Sequence, residues 1–256
     1  MATPSRFPQG LSVSAPWQFF SGMGLPNPFY YHQVADDFDV LPATTSGWTV
    51  TNATGTAALS TTLDGGNYVM TTAASAASFV SIQRVAASFI PAAGKKLYYV
   101  ARIALSDVTN SVVIAGLFPN AATTPFTGTP ANGIWISKAS GSTQLVLNVA
   151  NNSVVTSTNF PTSAYTLTAN VTLDLGIHVT AGGAINATVT PNAVAYGPQS
   201  GTGAAGSTNR QPNIVSTAPL LTTLQVTDLA PILAVQTGNA SALSLTSDFV
   251  GAFKER

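Results

Sequence analysis

Eight aspartates, one glutamate and two histidines are the chain's whole stock of side chains for acid–base work near neutral pH. Glycoside hydrolysis with retention uses two carboxylates about 5–5.5 Å apart, one as acid and one as nucleophile. The single glutamate, Glu255, is the penultimate residue, so any such pair would have to be built from aspartates. Three aspartates cluster in Asp36-Asp37-Phe38-Asp39, where strand alternation would set Asp37 and Asp39 on one face. That spacing suits a calcium ion held together with carbonyl oxygens, or simply a solvated entry to a strand, and the second is the expectation. Neither His32 nor His178 has a second histidine at metal-ligand spacing, and cysteine is absent. No Gly-x-Ser-x-Gly elbow occurs. The chain is therefore expected to be no enzyme and to hold no metal and no cofactor.

The remaining motifs read as structure before they read as sites. Gly201-x-Gly203-x-x-Gly206 has the spacing of a dinucleotide loop, but the residues after it, Ser207-Thr208-Asn209-Arg210-Gln211-Pro212, cannot supply the helix whose amides would meet a pyrophosphate. Ala93-Gly94-Lys95-Lys96 lacks the spacing and the hydroxyl of a phosphate loop. His178 lies in an apolar strand and His32 beside an aromatic stretch, which favours packing roles for both. Trp48 and Trp135, each with a glycine nearby (Gly47, Gly133), are candidates for a glycan-stacking platform, although a tryptophan in such a run more often packs in a core or edge.

Composition narrows the class. Charged residues are 7% of the 256, against about 25% in an ordinary soluble domain. No run of 18 apolar residues occurs, so no membrane span is expected. Formal net charge is zero and no basic stripe is present, so nucleic-acid binding is not expected either. The first twelve residues lack the apolar core of a secretory signal, which points to synthesis in a cytosol without export.

The elements that must position these side chains read as strands. Short β-branched and aromatic runs recur at 46–52, 67–72, 78–83, 97–105, 112–118, 133–137, 144–149, 171–179, 184–190, 193–197, 220–226, 231–236 and 243–253. Asp64-Gly65-Gly66, Ser140-Gly141-Ser142, Asn151-Asn152 and Gly182-Gly183 mark turns between them. So many strands without helices predict an all-β, antiparallel β-sandwich of jelly-roll type. In the last run Leu243, Leu245, Ser247, Phe249, Gly251 and Phe253 alternate onto one predicted face.

Two segments fall outside this pattern. Residues 1–34 carry seven of the chain's 22 aromatic side chains, five prolines and one charge, Arg6. Proline at those intervals blocks helix and removes strand donors, so the segment predicts an extended arm whose rings must lie on its own body or on another subunit. The arm's candidate contact residues are Arg6, Phe7, Trp17, Phe19, Phe20, Phe29, Tyr30 and Tyr31. Residues 35–256 then form one sandwich, with the glycine-rich stretch 197–212 as an exposed loop.

Several segments together resemble the lectin-like (concanavalin-like) jelly-roll structural proteins of tailed bacteriophages. Residues 95–103 (KKLYYVARI) look like an opening strand, followed by 113–118 (VIAGLF), 132–142 (NGIWISKASGS) and its hairpin partner 145–149 (LVLNV). Residues 229–236 (LAPILAVQ) and 243–250 (LSLTSDFV) look like the last two strands, and 1–12 (MATPSRFPQGLS) resembles the leading segment of head proteins of podovirus-like phages. The resemblance implies a capsid decoration, or cement, protein on the outer surface of a phage head. Its partners would be the phage major capsid protein and further copies of itself, as a homodimer or homotrimer. The alternative it implies is a receptor-binding or fibre-associated virion lectin that recognises host polysaccharide.

Overall fold

Valine, isoleucine, leucine and tyrosine alternate with small polar residues in runs too short for helices, and each run forms a strand half-buried against its neighbours. The structure, a computed structural model, describes residues 31–61, 66–86, 88–119, 125–162, 165–192, 213–216 and 228–256. The strands are β1 (Tyr31–Asp36), β2 (Trp48–Ala53), β3 (Thr56–Leu59), β4 (Tyr68–Thr71) and β5 (Phe79–Arg84). They continue with β6 (Leu97–Leu105), β7 (Ser111–Pro119), β8 (Gly133–Lys138), β9 (Leu145–Asn151) and β10 (Val154–Asn159). The last are β11 (Thr172–Val179), β12 (Ile185–Asn192), β13 (Asn213–Ser216), β14 (Leu229–Thr237) and β15 (Ser244–Glu255). A 3-10 turn at Thr44–Ser46 precedes β2.

Two antiparallel sheets face each other. One runs β10-β9-β8-β7-β14-β5-β2; the other runs β13-β12-β11-β6-β15-β4-β3, with β1 also on β15. The expected antiparallel jelly-roll sandwich is what forms. One core of residues from both sheets fills the space between them, with Ile103, Leu175 and Ile177 from one and Leu117, Ile136 and Leu147 from the other. Tyr99 crosses that core and its hydroxyl donates to the Ile232 carbonyl at 2.9 Å.

β15 departs from the alternation expected of it. β6 lies along one side of it, while β4 and β1 share the other side, one after the other. Its register against β6 shifts between Ser247 and Phe249, so Asp248 is an extra residue. Such a bulge swaps the faces. Leu245 and Ser247 are buried on the core side before it, and Val250 and Ala252 after it. Phe249 and Phe253 turn outward, into a cluster with Tyr31, Tyr98 and Val100.

The other differences from the expected strand map have local causes. β1 begins at Tyr31, inside the stretch assigned to the arm, because its backbone pairs with Val250–Glu255. β3, β10 and β13 are short and polar or small, and only their neighbours make them strands. The Asn151-Asn152 signal marks a real hairpin, but the two turn residues are Asn152 (φ 50°) and Ser153 (φ 66°). The expected strands 193–197 and 220–226 lie outside the described residues, as does the loop 197–212.

The corner that receives β1 is built on one carboxylate. Asp36 Oδ1 accepts the Phe38 N–H at 2.8 Å, which turns the chain so that Phe38 takes φ +57° and stacks on Tyr68 at 5.3 Å. Asp36 Oδ2 accepts the Trp48 indole N–H at 2.6 Å, tying β1 to the other sheet. Arg84 lies over the Trp48 ring, 5.5 Å from its centre, and donates to the Ser46 carbonyl. Asp36→Ala strands the indole N–H in the core and is expected to cost about 1–3 kcal/mol in urea unfolding. Asp36→Asn, which keeps an acceptor oxygen, is expected to cost less.

Candidate functional site

The charged and polar side chains singled out by the sequence are engaged in holding the sandwich. Asp36 ends β1 and Phe38 is left-handed, so Asp37 and Asp39 do not alternate along a strand as expected. Among the described residues no three His, Cys, Asp or Glu side chains come together as a metal site would require. Glu255 clamps the chain end: its carboxylate accepts the Lys96 N–H at 2.9 Å and lies 3.7 Å from the Lys96 ammonium. Lys95 donates to the carbonyl of Arg256.

The two histidines sit in different surroundings. His32 Nε2 is 2.7 Å from the Ser88 hydroxyl, and its ring packs on Phe89 at 4.8 Å. His178 stacks flat on Tyr98, 4.4 Å between ring centres, on the outer face of the eight-stranded sheet. Burial there pushes the Tyr98 phenol up to about 12, with Tyr31 and Glu255 adding to it. Burial, with Lys96 nearby, holds His178 down to about 4, against the pull of Glu255.

Tyr31, the one arm candidate within the described residues, is the first residue of β1, and its side chain is only 8% exposed. It belongs to the body, packed in the cluster with Tyr98 and Phe253, because the β1–β15 ladder carries it there. Arg6, Phe7, Trp17, Phe19, Phe20, Phe29 and Tyr30 lie outside the described residues, as do Gly201, Gly203 and Gly206.

Neither Trp48 nor Trp135 offers an open ring face. Trp48 is 0% exposed, in the core beneath Arg84. Trp135 points to the outer face of the seven-stranded sheet yet is only 7% exposed. Phe118 meets it edge-on at 5.1 Å, and Ile114, Ala150 and Ile232 share its cluster. Gly116 is opposite Trp135 on β7, where an added Cβ would come within 2.5 Å of the Trp135 backbone.

This outer face is the most site-like surface of the body. Across it, in register, run Gln83, Ile232, Gly116, Trp135, Asn148 and Ser157. Its polar groups satisfy one another: Asn148 Nδ2 donates to Ser137 Oγ, and Ser157 Oγ donates to Asn148 Oδ1, both at 2.8 Å. Phe126, in the connection between β7 and β8, reaches Phe79 on β5 at 5.9 Å, so that connection lies over part of the face. Sequence reasoning missed this row, since its members come from six strands and only register aligns them.

Lys138 was also missed. Its buried ammonium donates to the carbonyls of Ser111 (2.6 Å), Ala139 (3.2 Å) and Thr109 (3.4 Å). Burial holds it down to about 8, opposed by Asp107. A lone lysine closing the apolar run Gly133-Ile134-Trp135-Ile136-Ser137 was the available signal.

Sandwiches of this build are lectin-like jelly rolls, and comparison with solved structures bears that out. Peanut lectin with a 9mer peptide superposes with TM-score 0.58 at 10% identity, covering 88% of this chain and 98% of the lectin. An endo-1,3-beta-glucanase from Streptomyces sioyaensis gives 0.54 at 14% identity, covering 89% and 98%. The CBM2 module of the evolved Dit of Lactobacillus casei BL23 phage J-1 gives 0.50 at 12% identity, covering 88% and 96%. No protein-family model and no curated protein sequence matches the chain.

The state of His178 sets a pH dependence. Unfolded, it takes a proton near 6.5; folded, it resists until about 4. Between those values the unfolded chain binds more protons, so stability present above pH 6.5 is lost as pH falls toward 4. The drop in urea midpoint from pH 7 to pH 5 is expected to be smaller in His178→Phe than in the unaltered protein.

Proposed function

We propose that the chain is a structural protein of a tailed-phage virion, a capsid decoration protein that binds the outer head surface and bridges neighbouring capsomers. It would be made in the host cytoplasm, and its partners would be the major capsid protein and further copies of itself. The burial of Trp48 and Trp135 carries this preference over a sugar-binding role, because neither ring can stack on a sugar as it stands. The low charge of the chain supports it as well, since few ions need be desolvated on contact. The sequence resemblance supplies the location on the head.

The arm is the proposed contact element. Its root is firm, because β1 is paired along Tyr31–Asp36 and Tyr31 is packed in the body. Six further rings, Phe7, Trp17, Phe19, Phe20, Phe29 and Tyr30, precede that root. At about 150 Å² each they would bury on the order of 900 Å², comparable with the ~800 Å² one partner gives to a standard interface. Arg6, as the lone charge, would need a carboxylate or carbonyl partner there. The proposal includes no catalysis: the single glutamate is held by Lys96, and Asp174 is paired with Arg102 at 2.7 Å.

Removal of residues 1–30, which stops short of β1, is expected to leave a folded body that no longer rebinds heads stripped of this protein. Phe19→Ala/Phe20→Ala in the full chain should weaken rebinding in the same assay. Rebinding with unchanged affinity in both would overturn the reading, and a truncated chain that fails to fold would assign the arm to the body's own core.

A second reading, a virion lectin for host polysaccharide, is favoured by the sugar-binding names among the similar structures, including the phage CBM2 module and a lectin complexed with galactose. It would use the outer face around Trp135 and Asn148 once the covering connection moved. A glycan array probed with the full chain separates the two. No saturable binding is expected on the decoration reading, and saturable binding lost in Asn148→Ala would favour the lectin.

A further inference from the structure

Among the described residues β10 ends the seven-stranded sheet and pairs only with β9. Its sequence, Val154-Val155-Thr156-Ser157-Thr158-Asn159, has no charge, no proline and no break in register. Those are the devices by which sheet edges are ordinarily kept from pairing. Four of its six side chains are exposed, Val154 to 69%.

The hairpin turn decides which backbone groups face outward. A two-residue turn at Asn152–Ser153 makes Asn151 and Val154 the closing hydrogen-bonded pair. At the other end the Phe160 N–H donates to the Leu145 carbonyl at 3.0 Å, in phase with that start. Thr156 and Thr158 therefore bond to β9, and the N–H and C=O groups of Val155, Ser157 and Asn159 point away from it. No backbone partner for these three occurs among the described residues. The opposite edge of the sheet is better guarded, since the Trp48 N–H on β2 is already taken by the Ala43 carbonyl. β3 and β13, on the other sheet, are only four residues long.

We infer that β10 is a dimerisation edge, pairing antiparallel with β10 of a second copy of this chain to run the two seven-stranded sheets into one. A two-fold axis normal to the sheet keeps like faces together, so paired positions must share parity. Centring the axis on Ser157 pairs Ser157 with itself and Val155 with Asn159 of the second copy, twice over. All three outward residues of each chain then form hydrogen-bonded pairs, six backbone bonds in total by this register. Thr156 and Thr158 of the two copies become the close, non-hydrogen-bonded pairs, which suit β-branched side chains. With no charge on either strand, no like-charge repulsion opposes the approach. This inference does not rest on the capsid reading, and its test uses no heads.

The test is the mass of the isolated full chain in solution, by light scattering and sedimentation over a range of concentrations. A dimer is expected at tens of micromolar, and Ser157→Pro is expected to weaken it by more than about ten-fold through loss of the central bonds. Proline is tolerated where the N–H faces outward on an edge, so its circular dichroism should stay close to that of the unaltered chain, with a modestly lower urea midpoint from loss of the Ser157–Asn148 hydrogen bond. Should Ser157→Pro not fold, a Thr156→Cys/Thr158→Cys variant serves instead, because the chain has no native cysteine. Close pairs about 4.5 Å apart in Cα are within disulfide reach, so mild oxidation should link two chains. A monomer at every concentration, a trimer, a dimer indifferent to Ser157→Pro, or a folded cysteine variant that does not cross-link would each overturn the inference.

Discussion

One extra residue in β15 decides which rings line the core and which face outward. Ahead of Asp248, Leu245 and Ser247 fill the space against Leu105 and Ile103; beyond it, Val250 and Ala252 take over. Without the bulge Phe249 would fall opposite Ala101, in the position Val250 fills, and a close-packed interior does not absorb that volume. The same slip puts Phe253 beside Tyr98 and Tyr31, where it secures the start of β1 onto the sheet. β6, β4 and β1 all pair with β15, so the eight-stranded sheet depends on this one irregularity.

A chain with so few charges must satisfy its buried polar groups by other means. Neutral networks do most of this. Gln144 Nε2 donates to the carbonyls of Leu145 and Phe160, both at 2.7 Å, and the Leu145 N–H donates to the Tyr165 hydroxyl. Lys138 is the buried exception among the described residues, its ammonium spread over three carbonyls. The same economy of charge leaves the exterior with few of the ionic groups that hold protein surfaces apart. Contact with another surface is correspondingly inexpensive in desolvation, a cause shared by the proposed arm contact and the proposed β10 pairing.

Much of the fold was legible in the sequence. The runs at 97–105, 112–118, 133–137 and 171–179 match β6, β7, β8 and β11 closely, because buried strands carry a dense β-branched and aromatic signal. β10 carried little of it, since Thr156, Ser157, Thr158 and Asn159 read as a polar link until β9 is set beside them. β1 was hidden for the opposite reason: Tyr31 continues an aromatic run, and only pairing with Glu255, 224 positions later, separates it from the arm. The candidate site was less legible than the fold. Trp48 and Trp135 stood out by type, but whether a ring is covered depends on Arg84, Phe118 and Ile232, which are remote in sequence.

Local alternation, turn chemistry and the lack of helix formers were enough by themselves to determine an antiparallel sandwich, because strand period and turn geometry are short-range properties. The scarcity of acids likewise restricted the chemistry open to the chain before any contact was known. Tertiary structure alone decided the face of each residue after the bulge, the burial of Trp48 and Trp135, and the row from Gln83 to Ser157. Each of these depends on register between strands far apart in the chain, and register is set by packing one whole face at a time.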